Sequence, residues 1–82
     1  MIGMKYERKV KKELSKSEYS KFIKEVINYN QDHRELAQYI LIDDTKVFKN
    51  EYVEAIESVN KFILENGREP EKVTIYEKHN HS

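Results

Sequence analysis

The stretch "KNEYVEAIESVNKFILENGREPEKVTIY", Lys49–Tyr76, carries the reading on which the fold turns. Tyr52, Ile56, Val59 and Ile63 recur at helical spacing and form one apolar face, which Val53 and Phe62 widen. Asn50 is a good N-cap residue, and Glu51, Glu54 and Glu57 suit the positive end of the helix dipole. Gly67 accepts the left-handed conformation that ends a helix, and Pro70 blocks its continuation. Val73 and Ile75 then alternate with Thr74 and Tyr76, the period of a strand. The stretch therefore predicts a helix, a turn and a strand.

A similar pattern lies upstream. Tyr19, Phe22, Ile23, Val26 and Ile27 form an apolar helical stripe, which Asn30 is expected to end. Two caps compete for its start: Ser17, and Ser15, which makes a capping box with Glu18. The segment 36–42 is ambiguous by itself. Leu36, Tyr39 and Ile40 fit a helix beginning at Asp32; Gln38–Ile42 equally fits a strand followed by a tight Asp43-Asp44 turn and a strand at Lys46–Phe48. Sliding the chain by 33 residues lays Lys12–Asp44 on Thr45–Glu77 with six identities, at the helix start, along its apolar face and in the strand. On that alignment Gln38–Ile42 matches Lys72–Tyr76, which favours the strand. The expectation is a single α+β domain over 1–82, a small two-layer β-α-β-β-α-β arrangement with two helices on one face of a sheet. Its repeat units are about 12–44 and 45–77, and 78–82 is a polar tail.

Composition bounds the function. The 82 residues contain no cysteine, which excludes disulfides, thiolate metal sites and cysteine nucleophiles. No apolar run approaches the roughly 18 residues that cross a bilayer, and the N-terminus lacks the apolar centre of a signal peptide. The expected location is cytoplasmic if the chain is complete and the cell surface if it is an excised module. Net charge is zero but unevenly spread: +4 over residues 1–25 and −4 over 26–82. The basic stretch is Lys5, Arg8, Lys9, Lys11, Lys12 and Lys16. It reads as a solvated face, or as a surface for an anionic partner or for self-association.

The second unit resembles the pseudomurein-binding repeat, a family known from surface proteins of methanogenic archaea and lytic enzymes of their viruses. The matching features are Tyr52, the Val59/Phe62/Ile63 helix face, the Asn66-Gly67-Arg68-Glu69-Pro70 turn and the Val73-Thr74-Ile75 strand. The resemblance is good over residues 45–77 and partial over 12–44, where His33-Arg34-Glu35-Leu36-Ala37 replaces the glycine–proline turn. It implies non-catalytic binding to a wall polymer of sugars and isopeptide-linked amino acids, with the first unit a degenerate copy.

The residues themselves offer a short set of candidates for ligand contact. Geometry accounts for Gly67 and Pro70 but does not demand Asn66 and Arg68; Arg68 suits a carboxylate and Asn66 suits sugar or peptide groups. Each also has a plain structural reading, Asn66 at the helix end and Arg68 in solvent. Among six tyrosines, Tyr76 and Tyr39 lie at or near strand ends and suit an exposed contact surface. Tyr19 and Tyr52 are expected in the core, with hydroxyls at the rim, and Tyr29 with them. His79 and His81 read as a polar tail rather than a metal site. Asp43 and Asp44 read as turn residues rather than catalytic carboxylates. No catalytic residues, metal site or cofactor are expected. Three functions are consistent with these features. The first is binding of a cell-wall polymer. The second is contact with a protein partner by a small intracellular regulator, including one encoded on a mobile element. The third is nucleic-acid binding through the basic N-terminal strand around Tyr6.

Overall fold

The computed structural model describes residues 9–78. Tyr6, Arg8, Lys5, His79 and His81, named above, lie outside them. The element order is β1 (Val10–Ser15), α1 (Lys16–His33), β2 (Tyr39–Ile42), β3 (Thr45–Phe48), α2 (Lys49–Asn66) and β4 (Lys72–Tyr76). The fold is thus α+β with the expected strand–helix–strand order, and 36–42 ends in a strand. Each helix has 18 residues, and α2 starts 33 residues after α1.

The four strands form two antiparallel two-stranded sheets, β1 with β4 and β2 with β3. Each sheet takes one strand from each half of the chain. Leu14 lies opposite Val73 in one sheet, and Val47 lies opposite Ile40 in the other. Those two pairs exchange under the 33-residue offset, so the halves are related by an approximate two-fold. Between β1 and the β2–β3 hairpin, side chains supply links: Lys11 Nζ donates to the Lys46 carbonyl at 3.0 Å, and Lys12 meets Asp43 at 3.4 Å.

The same symmetry orders the core. Leu14 and Val47, Tyr19 and Tyr52, Phe22 and Ala55, Val26 and Val59 are buried at equivalent places. The tyrosine hydroxyls are not at the rim as expected. Tyr19 donates to the Pro70 carbonyl and Tyr52 to the Ala37 carbonyl, both bonds buried. Pro70 and Ala37 are again 33 positions apart. Each tyrosine therefore reaches from its own helix into the helix–strand loop of the other half. Burial pushes both phenols up from their ordinary pKa, which keeps them protonated as donors. Tyr29 is only half-buried; it stacks on His33, with ring centres 3.9 Å apart.

Local chemistry sets the element ends. Ser15, not Ser17, caps α1: its amide donates to Glu18 at 2.9 Å and its hydroxyl accepts from the Glu18 amide at 3.4 Å. The helix passes Asn30 and runs to His33, because the Tyr29–His33 stack and the His33 Nδ1 contact to the Tyr29 carbonyl hold one more turn. Arg34 then takes the left-handed conformation, φ 61°, that Gly67 takes at φ 72° after α2. For α2 the expected cap, Asn50, is displaced. The N-cap is Phe48, because β3 runs straight into the helix, and the Glu51 carboxylate accepts its amide at 2.9 Å. Asp43 and Asp44, at φ 50° and 68°, make the two-residue turn with both central residues left-handed, whose twist matches a hairpin.

Glu51 is the one buried charged residue among those described, 1% exposed. Its carboxylate accepts from Lys11 Nζ at 2.6 Å and from the amides of Phe48 and Lys78 at 2.9 Å each. A register shift between Val10 and Lys12 leaves Lys11 without a cross-strand partner, and its side chain crosses to Glu51. This clasp ties β1, the start of α2 and the segment after β4. Glu18, the equivalent residue of the first half, is exposed.

Three outcomes follow from these contacts. Tyr19→Phe and Tyr52→Phe each strand a buried carbonyl and should cost about 1–3 kcal/mol in urea unfolding. Arg34→Gly relieves a left-handed side-chain residue and should stabilise by about 1 kcal/mol in the same assay. Burial raises the Glu51 pKa, but Lys11 and the two amides more than offset it, and the net direction is downward. A depressed carboxylate contributes stability that is full above its unfolded value of about 4.3 and is lost as pH falls through the lower folded value. Subtracting the urea stability of Glu51→Gln from that of the parent at each pH should give a difference that is flat near neutrality and shrinks below about pH 4. A difference that stays constant down to acid unfolding would contradict the clasp.

Candidate ligand-binding face

Asn66 is the last residue of α2, and its side-chain amide donates to the Phe62 carbonyl at 3.0 Å. This bond folds the Asn66 side chain back onto the last turn of its own helix. One residue past the Gly67 cap, the Arg68 guanidinium turns back over the Phe62 ring, 5.3 Å from its centre. The left-handed glycine is what reverses the chain far enough for that stacking. Asn66 and Arg68 are both exposed, so their remaining hydrogen-bonding groups face solvent.

Phe62 is the residue around which the turn and strand meet. It lines a concavity of about 220 Å³ between α2 and β4, together with Ser58, Pro70, Val73, Thr74 and Tyr76. The floor is apolar, from Val59, Pro70 and Val73, and the rim is hydroxylic and cationic, from Ser58, Thr74, Tyr76 and Lys72. Tyr76 closes β4 and is half-buried. Three of the four residues expected to contact a ligand, Asn66, Arg68 and Tyr76, therefore gather around Phe62. Phe62 also belongs to the site, although helical periodicity alone marks it as a core residue.

Tyr39 belongs to another place. It opens β2, is 46% exposed, and lines a separate concavity of about 530 Å³ with Gln38, Phe48, Lys49, Asn50 and Val53. The Lys46 ammonium lies 4.4 Å from the centre of its ring.

The first half does not duplicate the α2–β4 groove. The depression between α1 and β2 is of similar size, about 230 Å³, but is lined by Glu18, Lys21, Phe22, Glu25, Leu41 and Asp43. Glu25, Leu41 and Asp43 stand there in the places that Ser58, Thr74 and Tyr76 take in the second half. Arg34 and Glu35 occupy the places of Gly67 and Arg68, so no guanidinium folds back over Tyr29 there; His33 does instead.

No group of histidines or carboxylates that would hold a metal ion occurs among the described residues. No helix among them is long and apolar enough to cross a membrane. No curated protein and no solved structure shows significant similarity to the chain. The family model of the pseudomurein-binding repeat matches residues 43–75. That span runs from the hairpin turn through β3, α2 and the Asn66–Pro70 turn into β4, and contains Phe62, Asn66 and Arg68. Residues 43–75 of this chain are therefore similar to a pseudomurein-binding repeat.

Proposed function

We propose that the chain is a non-catalytic module that binds a pseudomurein-type cell-wall polymer, and that the second half supplies the contact through Asn66, Arg68 and Tyr76 around Phe62. The observation that carries this reading is the family match over residues 43–75 together with the lining of the groove that this repeat presents, which its upstream counterpart does not share. The chemistry is suited to such a polymer. An apolar floor takes the carbon face of a sugar or a peptide side chain, the hydroxyls bond polar substituents, and Arg68 offers a fork of donors to a carboxylate. A shallow open groove without paired acid and base groups fits retention of a polymer better than its cleavage.

The other functions read from the sequence receive less support. The nucleic-acid reading depends on free cations in the basic N-terminal stretch. Lys9, Lys11, Lys12 and Lys16 meet Glu77, Glu51, Asp43 and Glu69 at 3.9, 2.6, 3.4 and 3.5 Å. These four lysines are thus engaged by carboxylates of the same chain, which weakens the case for an anionic partner or for self-association through them. Contact with a protein partner has no comparable match behind it.

Retention on purified pseudomurein sacculi, with bacterial peptidoglycan as the control, tests the proposal. The chain should co-sediment with pseudomurein and not with peptidoglycan. Arg68→Ala and Tyr76→Ala should each weaken retention about 5–20-fold, the effect of losing one charge-assisted or aromatic contact. Equal recovery of the parent chain on both polymers, or on neither, would refute it.

A further inference from the structure

The two small sheets share a scaffold but not a surface. On the hairpin, Tyr39 stands opposite Phe48 and Leu41 opposite Lys46. Tyr39, Phe48 and Leu41 are 46%, 45% and 58% exposed. Under the 33-residue offset the same four places in the other sheet hold Lys72, Ser15, Thr74 and Glu13. There the face is polar: Lys72 pairs with Glu13 at 3.4 Å, and the Thr74 hydroxyl donates to Glu13 at 3.5 Å. The architecture therefore forms without aromatic residues at these positions, and their presence on the hairpin needs a reason other than folding.

The lysines point to that reason. Lys46 Nζ lies 4.4 Å from the Tyr39 ring centre and 5.9 Å from that of Phe48. Lys11 Nζ is 4.8 Å from the Phe48 ring but is already paired with Glu51 at 2.6 Å. Lys46 meets no carboxylate among the described residues. An unpaired ammonium thus hovers between two exposed aromatic faces. Beside them opens the concavity of about 530 Å³, where Gln38 and Asn50 add carboxamides. Flat aromatic faces stack on the carbon–hydrogen face of a pyranose, carboxamides bond its hydroxyls, and the ammonium attracts an acidic substituent. A purely apolar partner would leave that cation without a counter-charge on docking, at a desolvation cost.

We propose that Tyr39, Phe48 and Lys46 form a subsite for one sugar ring bearing a carboxylate, a second contact point distinct from the α2–β4 groove. The proposal rests on the wall-polymer reading above. It extends contact to Tyr39, outside the matched repeat, so that one polymer strand is held by residues of both halves.

Amide-resolved NMR of the full chain, titrated with methyl glucuronide and with methyl glucoside, tests it. The glucuronide should shift the amides of Leu41, Lys46 and Lys49 saturably, with a Kd in the millimolar range expected of a single sugar. The glucoside should bind about fivefold or more weakly. Lys46→Gln should erase the difference between the two sugars. Tyr39→Ala should abolish both responses and Tyr39→Phe should keep them, with unchanged amide dispersion showing that each variant is folded. Retention of the parent chain on pseudomurein sacculi is measured in parallel. A chain that is retained while its hairpin amides ignore both sugars overturns the subsite alone. A chain that is not retained overturns the wall-polymer reading, and this one with it. Hairpin shifts that follow protein concentration rather than sugar would assign the face to a second copy of the chain, and overturn the subsite.

Discussion

Tyr19 of α1 donates its hydroxyl to the carbonyl of Pro70, and Tyr52 of α2 donates to the carbonyl of Ala37. These two bonds, with the strand pairing that brings their partners within reach, are what the rest of the structure depends on. Neither half closes upon itself. The first strand of each half pairs with the last strand of the other, and each helix is anchored to the other's loop. A two-stranded sheet is marginal alone, and a chain of this size has little apolar surface to bury. Exchanging strands lets two short units share one core, to which both contribute side chains at equivalent positions.

This mutual dependence leaves surface positions free to diverge. Core pairs such as Leu14 and Val47, or Val26 and Val59, remain alike because they face each other across the approximate two-fold. Outside the core the halves have parted. The second half carries Asn66, Gly67 and Arg68 and stacks the guanidinium on Phe62, whereas the first ends its helix on Arg34 and a Tyr29–His33 stack. The hairpin has an aromatic outer face where the other sheet has an ion pair. Glu51 is a buried clasp where Glu18 is an exposed cap. The symmetry is structural, and the surface chemistry is distributed without regard to it.

Much of the fold was legible from the chain. Apolar residues at helical spacing, Gly67 with Pro70, and the alternation at Val73–Tyr76 each have a local cause, so they point to helix, stop and strand without knowledge of the whole. The 33-residue offset resolved the one ambiguous segment. The misread details share a feature: each is a contact between residues far apart in sequence. Asn50 looked like the cap because the reading stopped at the helix, and Phe48 is the cap because the hairpin feeds into it. The tyrosine hydroxyls looked like rim groups because their acceptors lie 51 and 15 residues away. The pairing of Lys9, Lys11, Lys12 and Lys16 was hidden in the same way, because their carboxylate partners are spread over residues 43–77. Of the residues proposed for ligand contact, Asn66 and Arg68 were visible as residues the turn did not need. Phe62 was not, since an apolar helix position says nothing of what covers it.

The sequence by itself determined the elements, their order and the kinship of residues 43–75 with a wall-binding repeat, because periodicity, caps and turn residues act within a few residues of one another. Only the tertiary structure decided that the strands pair between the halves rather than within them. It also decided that Lys11 is held by Glu51, that Arg68 and Tyr76 meet around Phe62, and that Tyr39 stands apart with Phe48 and Lys46. Those outcomes depend on which apolar faces bury each other, a choice made by the whole core at once and recorded in no single stretch of the chain.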